Sequence, residues 1–168
     1  MLLGTEDIVI RLLISFSVGL LMGFERYRSR KEAGMRTHAV VCVTATALTI
    51  LSAYGFGEFA DTRTMDPARL IVAMVTGIGF LGAGMIWKEK EGSIHGLTSA
   101  ADILAVTTLG IAIGLGHYTL TAVTLALIMA SLYIPLFYLR RQKSHNKAEE
   151  NEKKYQGKIE ESKGEENS

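Results

Sequence analysis

The sequence predicts an all-α polytopic membrane bundle of about five spanning helices, and three observations predict it. Of the 168 residues, 48% are hydrophobic and only 2 are proline. The charges are unevenly placed: residues 140–168 hold 8 of the 18 Lys/Arg and 7 of the 17 Asp/Glu, and those of residues 1–139 are mostly bunched between apolar runs. Five such runs, residues 8–24, 38–56, 69–87, 97–116 and 118–139, approach the roughly 20 residues a helix needs to cross the hydrocarbon of a bilayer. Residues 1–139 therefore read as a transmembrane domain. Residues 140–168, rich in Lys, Glu, Asn and Ser with little to bury, read as a charged, disordered cytoplasmic tail.

The first span carries a ladder of small residues, Ser15, Gly19 and Gly23, at i, i+4, i+8. Small side chains let helix backbones approach closely in lipid, where no hydrophobic force drives helices together. Arg11 lies in the same span and is expected to snorkel outward or to pair with Asp7 one turn earlier. Glu25 and Arg26 close the span; Glu25 either anchors at the interface or turns inward on the helical wheel. On the second span His38, Cys42, Ala45, Thr46 and Thr49 share one face.

The third span contains GIGFLGAG, whose first six residues match the G-x-G-x-x-G dinucleotide fingerprint. That match needs a preceding strand and a ribose-binding acid, and an apolar span supplies neither. Gly77, Gly79, Gly82 and Gly84 are therefore expected to be helix-packing surfaces, with the third span at the bundle centre and the first as its neighbour. An unwound segment lining an ion path is the functional alternative. The bulky Leu70, Ile71, Met74, Ile78, Leu81 and Met85 fall in one sector of this helix.

In the fourth span, GLTSAADILAV places an acid, Asp102, in an apolar run. An ionised carboxylate there costs a few kcal/mol unless it is paired, protonated or near an interface. His95, Thr98, Ser99 and Asp102 share a face at i, i+3, i+4, i+7, and Asp102 is within reach of Arg26 or Arg36. Asp102 reads either as a structural pair near the cytoplasmic end or as a proton or cation site. Glu25, Arg26, Arg36, His38, Thr98, Ser99 and Asp102 form the candidate functional polar cluster.

Orientation follows from the basic loops. ERYRSRKEAGMR after span one and Lys88 and Lys90 after span three belong inside, which puts the N-terminus outside and the C-terminus inside. The start, MLLGTED, lacks the basic region and cleavage site of a removable signal, so span one is expected to persist. Asp66-Pro67 is a helix start, the acid as N-cap and the proline at the first helical position. A divalent cation on Glu58, Asp61 and Asp66 is conceivable but weak, because exposed acids hold it poorly. Cys42 is the only cysteine, which excludes an intrachain disulfide framework. No nucleophile elbow, Walker loop or zinc pattern is present, so no enzyme activity, catalytic residue, metal centre or cofactor is expected. A short echo, AGMRTHA opening span two and HGLTSAA opening span four, hints at two parallel hairpins.

Three segments, GFERYRSRKEAGMRTH, DPARLIVAMVTGIGFLGAGMI and GLTSAAD, stand in an order and spacing that resembles the MgtC/SapB family of bacterial membrane proteins over about residues 19–116. The positions that look like the family motif are Glu25, Arg26, Gly34, Arg36, Thr37, His38, Asp66, Pro67, Arg69, the four glycines of span three, Gly96, Leu97 and Thr98. Ser99 stands where the resemblance implies Thr and Asp102 where it implies an uncharged Ser, Thr or Asn, and the folded cytoplasmic domain of longer members is not found in this sequence. The resemblance implies a multi-pass protein of the bacterial cell membrane, the inner membrane in a Gram-negative source. It implies a link, in some members, to growth under magnesium limitation and survival inside host cells. The expected partners are the bilayer and either a homo-oligomer or another membrane complex, not nucleic acid. The function expected is a non-enzymatic regulator linked to magnesium limitation or membrane energetics, with a proton or magnesium transporter or channel subunit as the alternative and a purely structural component as a third reading.

Overall fold

A computed structural model describes residues 3–55, 66, 68–89 and 92–133. Four helices, α1 (Thr5–Arg28), α2 (Met35–Tyr54), α3 (Ala68–Met85) and α4 (Leu97–Gly114), are long and apolar enough to cross a membrane. Their 24, 20, 18 and 18 residues correspond to about 27–36 Å at ~1.5 Å per residue, against ~30 Å of hydrocarbon. A shorter apolar helix, α5, spans Tyr118–Tyr133. Residues 134–139 of the predicted fifth span and the whole of 140–168 lie outside the described residues. The chain is thus an all-α polytopic bundle, the architecture in which each segment satisfies its own backbone hydrogen bonds in lipid. It divides into two units, residues 1–126 and 127–168, and the packing of α1 to α4 belongs to the first.

Local chemistry sets the helix ends. α1 opens with Glu6 and Asp7 and closes with Arg26 and Arg28, the charge order that complements the helix dipole. Asp66 Oδ1 accepts a hydrogen bond from the Ala68 amide at 2.9 Å and caps α3. Pro67, Glu58 and Asp61 lie outside the described residues. α2 and α4 both start at glycine, but Gly34 is extended while Gly96 is left-handed at φ 84°, so the sequence echo is not an echo in backbone. A Cβ at Gly96 would run into the Met85 carbonyl, which leaves glycine as the residue that fits. Between α3 and α4 the chain forms a small antiparallel hairpin of β1 (Trp87–Lys88) and β2 (Ile94–His95). The Trp87 and His95 rings stack at 4.6 Å, and His95 Nε2 lies 3.2 Å from Glu89 Oε2. His95 therefore belongs to the hairpin and not to the face of α4 where the sequence spacing put it.

The core lies between α2 and α4. Cys42, Ala45, Thr46 and Thr49 of α2 and Ile103, Val106, Leu109 and Ile113 of α4 are buried, together with Met22 of α1. Gly110 and Gly114 make this approach possible, since a Cβ on Gly110 would stand 2.6 Å from the Cys42 carbonyl oxygen and one on Gly114 would stand 2.6 Å from Thr49 Cβ. At the contact Thr46 Oγ1 donates to the Gly110 carbonyl at 2.9 Å, a buried bond between the helices. α1 packs on α2 through its small-residue ladder: a Cβ on Gly19 would sit 2.6 Å from Ala39 Cα, and one on Gly23 would collide with Met35 Cα. The neighbour of this ladder is α2, not α3.

The expected position of α3 is corrected. It is the most exposed of the four long helices, and Gly82 is its one buried residue. Its seam toward the bundle consists of Ile71, Met74, Ile78 and Met85, all half-buried, with Gly82 opposite Ala100. Most of the bulky sector thus faces inward, Leu70 also being half-buried, whereas Leu81 is exposed. Gly77, Gly79 and Gly84 are exposed, and a Cβ at any of them would meet no described residue within 4 Å. Of the four glycines expected to be contact surfaces, only Gly82 is one within the described bundle.

Candidate functional site

The C-terminal end of α1 and the N-terminal ends of α2 and α4 converge on a buried set of charges. Glu25 is 4% exposed, Arg26 3%, Asp102 4% and His38 0%, which means that water screens none of them effectively. Arg26 Nε lies 2.5 Å from Glu25 Oε2, and Arg26 Nη1 lies 2.8 Å from Asp102 Oδ2. One guanidinium thus stands between two carboxylates from different helices. The second approach is an ion pair by distance, and neither Nη1 nor Oδ2 makes a well-formed hydrogen bond among the described residues. Glu25 is further held by Ser29, whose hydroxyl donates to Oε1 at 2.8 Å from one turn later.

His38 supplies the fourth group. Its Nδ1 is 2.9 Å from the Gly34 carbonyl oxygen, and because a carbonyl only accepts, Nδ1 must carry the hydrogen. In the neutral ring Nε2 is then a bare lone pair, and it is buried with no hydrogen-bond partner among the described residues. Among the described residues, the charged side chains that act most strongly on His38 are Asp102, Arg26 and Glu25.

Beside this cluster Ser99, 1% exposed, donates to Glu32 Oε2 at 2.6 Å and ties the α1–α2 loop to α4. The donated bond holds the Glu32 carboxyl below its ordinary range. Arg36 and Thr98 are exposed and do not join the buried set. The structure therefore assembles Glu25, Arg26, His38 and Asp102, places Ser99 next to them on Glu32, and leaves Arg36 and Thr98 outside.

At the opposite end of the bundle lies a site missing from the sequence reading. Arg11 neither snorkels nor pairs with Asp7: its Nη1 donates to the Gly114 carbonyl at 2.5 Å, and its guanidinium carbon stands 5.4 Å from the centre of the Tyr54 ring. The last carbonyls of a helix lack intrahelical donors and carry partial negative charge, so an arginine there serves as a C-cap from another helix. A signal was available, since Arg11 continues the Ser15, Gly19, Gly23 ladder one step toward the N-terminus and so lies on the packing face. Ser29 and Glu32 were also missed; they lie in and beside a basic loop whose charge pattern gives no sign of an inward partner.

The chain was compared with known proteins. The model of the MgtC family matches residues 12–139. YhiD of Escherichia coli K12, whose name puts it forward as a magnesium transporter, is 38% identical over 118 residues, covering 69% of this chain and 54% of that protein. Protein SapB of Bacillus subtilis 168 is 36% identical over 129 residues, covering 75% and 55%. Protein MgtC of Brucella abortus 2308 is 35% identical over 116 residues, covering 69% and 46%. The chain spans about half the length of these curated relatives. No solved structure matches.

Proposed function

The chain belongs to the MgtC family, and on that premise we propose that it is a non-enzymatic regulator in the bacterial cell membrane, linked to magnesium limitation, that acts by contact with other membrane proteins. The observation that carries this reading is α3. Its bulky seam is used within the bundle, while a Cβ at Gly77, Gly79 or Gly84 meets no described residue, on a helix long and apolar enough to span. Small residues facing lipid offer little dispersion energy to lipid chains but allow another helix to approach closely. This face is the surface assigned to the partner.

A second reading, a proton or magnesium transporter, is favoured by the buried charges of Glu25, Arg26 and Asp102, since intramembrane ionisable groups commonly mark ion paths. The name of the E. coli relative points the same way. Purified chain in liposomes separates the two. The regulatory reading predicts magnesium and proton flux no greater than in empty liposomes; flux that Asp102→Asn abolishes in a folded protein would replace it with the transport reading.

A further inference from the structure

The buried cluster does not balance its charge. Glu25 and Asp102 supply two negative charges and Arg26 one positive, all at most 4% exposed. With His38 neutral, one negative charge is left over. An uncompensated charge in apolar surroundings is costly enough that groups change protonation instead. The groups involved come from every helix packed here: Glu25 and Arg26 from α1, His38 from α2 and Asp102 from α4. Among the described residues, the charged groups that act most strongly on Asp102 are Arg26, His38 and Glu25, and those that act most strongly on His38 are Asp102, Arg26 and Glu25.

Two atoms mark where the missing positive charge belongs. His38 Nε2 is buried and lacks a hydrogen-bond partner among the described residues, while Asp102 Oδ2 has only the ion-pair approach of Arg26 Nη1 at 2.8 Å. Each is an acceptor that a single proton would turn into a donor. Added to Nε2, the proton gives an imidazolium whose charge offsets the second carboxylate; added to Asp102, it gives a neutral acid and leaves Glu25 to Arg26 alone. Both steps take one proton from water and leave a neutral cluster. A divalent metal suits the place less well, because the Arg26 guanidinium already lies between the carboxylates, and among the described residues no group of three or more His, Cys, Asp or Glu is placed to hold one.

We propose that Glu25, Arg26, His38 and Asp102 form a binding site for one exchangeable proton at the end of the bundle where α1, α2 and α4 meet. The site goes beyond the regulatory reading and does not depend on flux: a chain that binds the proton and carries no current keeps both.

The test is equilibrium titration of the full chain in detergent or lipid. Imidazole 15N spectra, with His38 assigned through His38→Gln, report the state of Nε2. Infrared difference spectra, with Asp102 assigned through Asp102→Asn, report a protonated carboxyl. Between about pH 5 and 8, the range in which an unperturbed histidine titrates, the wild-type protein is expected to show the proton on one of the two groups. If it is on His38, Asp102→Asn is expected to weaken its binding by about 10-fold, because losing an opposite charge that acts on the ring shifts a pKa by about one unit. A His38 ring neutral throughout that range, with every carboxyl ionised, overturns the proposal, and so, where the wild type carries the proton on His38, does a folded Asp102→Asn protein whose His38 binds it as tightly as before. The wild-type spectra decide the first point by themselves, so a variant that fails to fold leaves the test standing.

Discussion

Arg26→Met is expected to destabilise the detergent-solubilised protein by about 3–5 kcal/mol, the range found when one partner of a buried ion pair is removed. The chain of causes is short. Arg26 is 3% exposed and faces Glu25 at 2.5 Å and Asp102 at 2.8 Å, so its removal leaves two buried carboxylates with no cation. Methionine fills much of the volume, and the loss is therefore electrostatic and not a cavity effect. Asp102→Asn is expected to cost less, because Arg26 keeps Glu25 and the amide retains most of the shape. The double substitution should cost less than the sum of the two, as neighbours in one network do. Thermal unfolding followed by helicity checks the order. An Arg26→Met protein that melts with the wild type would mean that the cluster contributes nothing to holding α1 against α4.

The second large effect contrasts two glycines. Gly110→Leu should destabilise the bundle by about 1–3 kcal/mol or more, the usual scale of overpacking, since even a Cβ at Gly110 meets the Cys42 carbonyl oxygen at 2.6 Å. That obstacle is backbone on the facing helix and cannot rotate away. Gly77→Leu should be nearly neutral, because nothing described lies within 4 Å of a Cβ there, and leucine is a better helix former than glycine. Comparing the two melting temperatures in one detergent tests the orientation assigned to α3. Equal losses would put α3 back inside the bundle.

The reason α3 was misplaced by its sequence is physical. Periodicity tells which residues share a face: Ile71, Met74, Ile78 and Met85 do form one seam, as the wheel indicates. It does not tell which face meets the rest of the chain, because in lipid both a bulky and a small face can pack. The spans themselves were legible, since an apolar run of about 20 residues leaves few alternatives in a bilayer: residues 38–56 became Met35–Tyr54 and residues 97–116 became Leu97–Gly114. Reach between Asp102 and Arg26 was legible from their positions near adjoining helix ends. The role of Arg11 was not, because its partner, the Gly114 carbonyl, is 103 residues away and backbone carbonyls at helix ends leave no residue-type signature. Arg36 and Thr98 matched motif positions, yet a match in sequence does not set the rotation of a helix about its axis, and both are exposed.

On the proposed function, α3 meets a partner through the face it does not use in its own bundle. The decisive experiment uses cells lacking this gene, grown under magnesium limitation and complemented with the wild type, Gly77→Leu or Gly84→Leu at matched membrane levels. Both leucine variants are expected to fold and reach the membrane but fail to restore growth, because leucine closes the approach that a second helix needs. Full restoration of growth by both variants, at wild-type levels of folded protein, would contradict it.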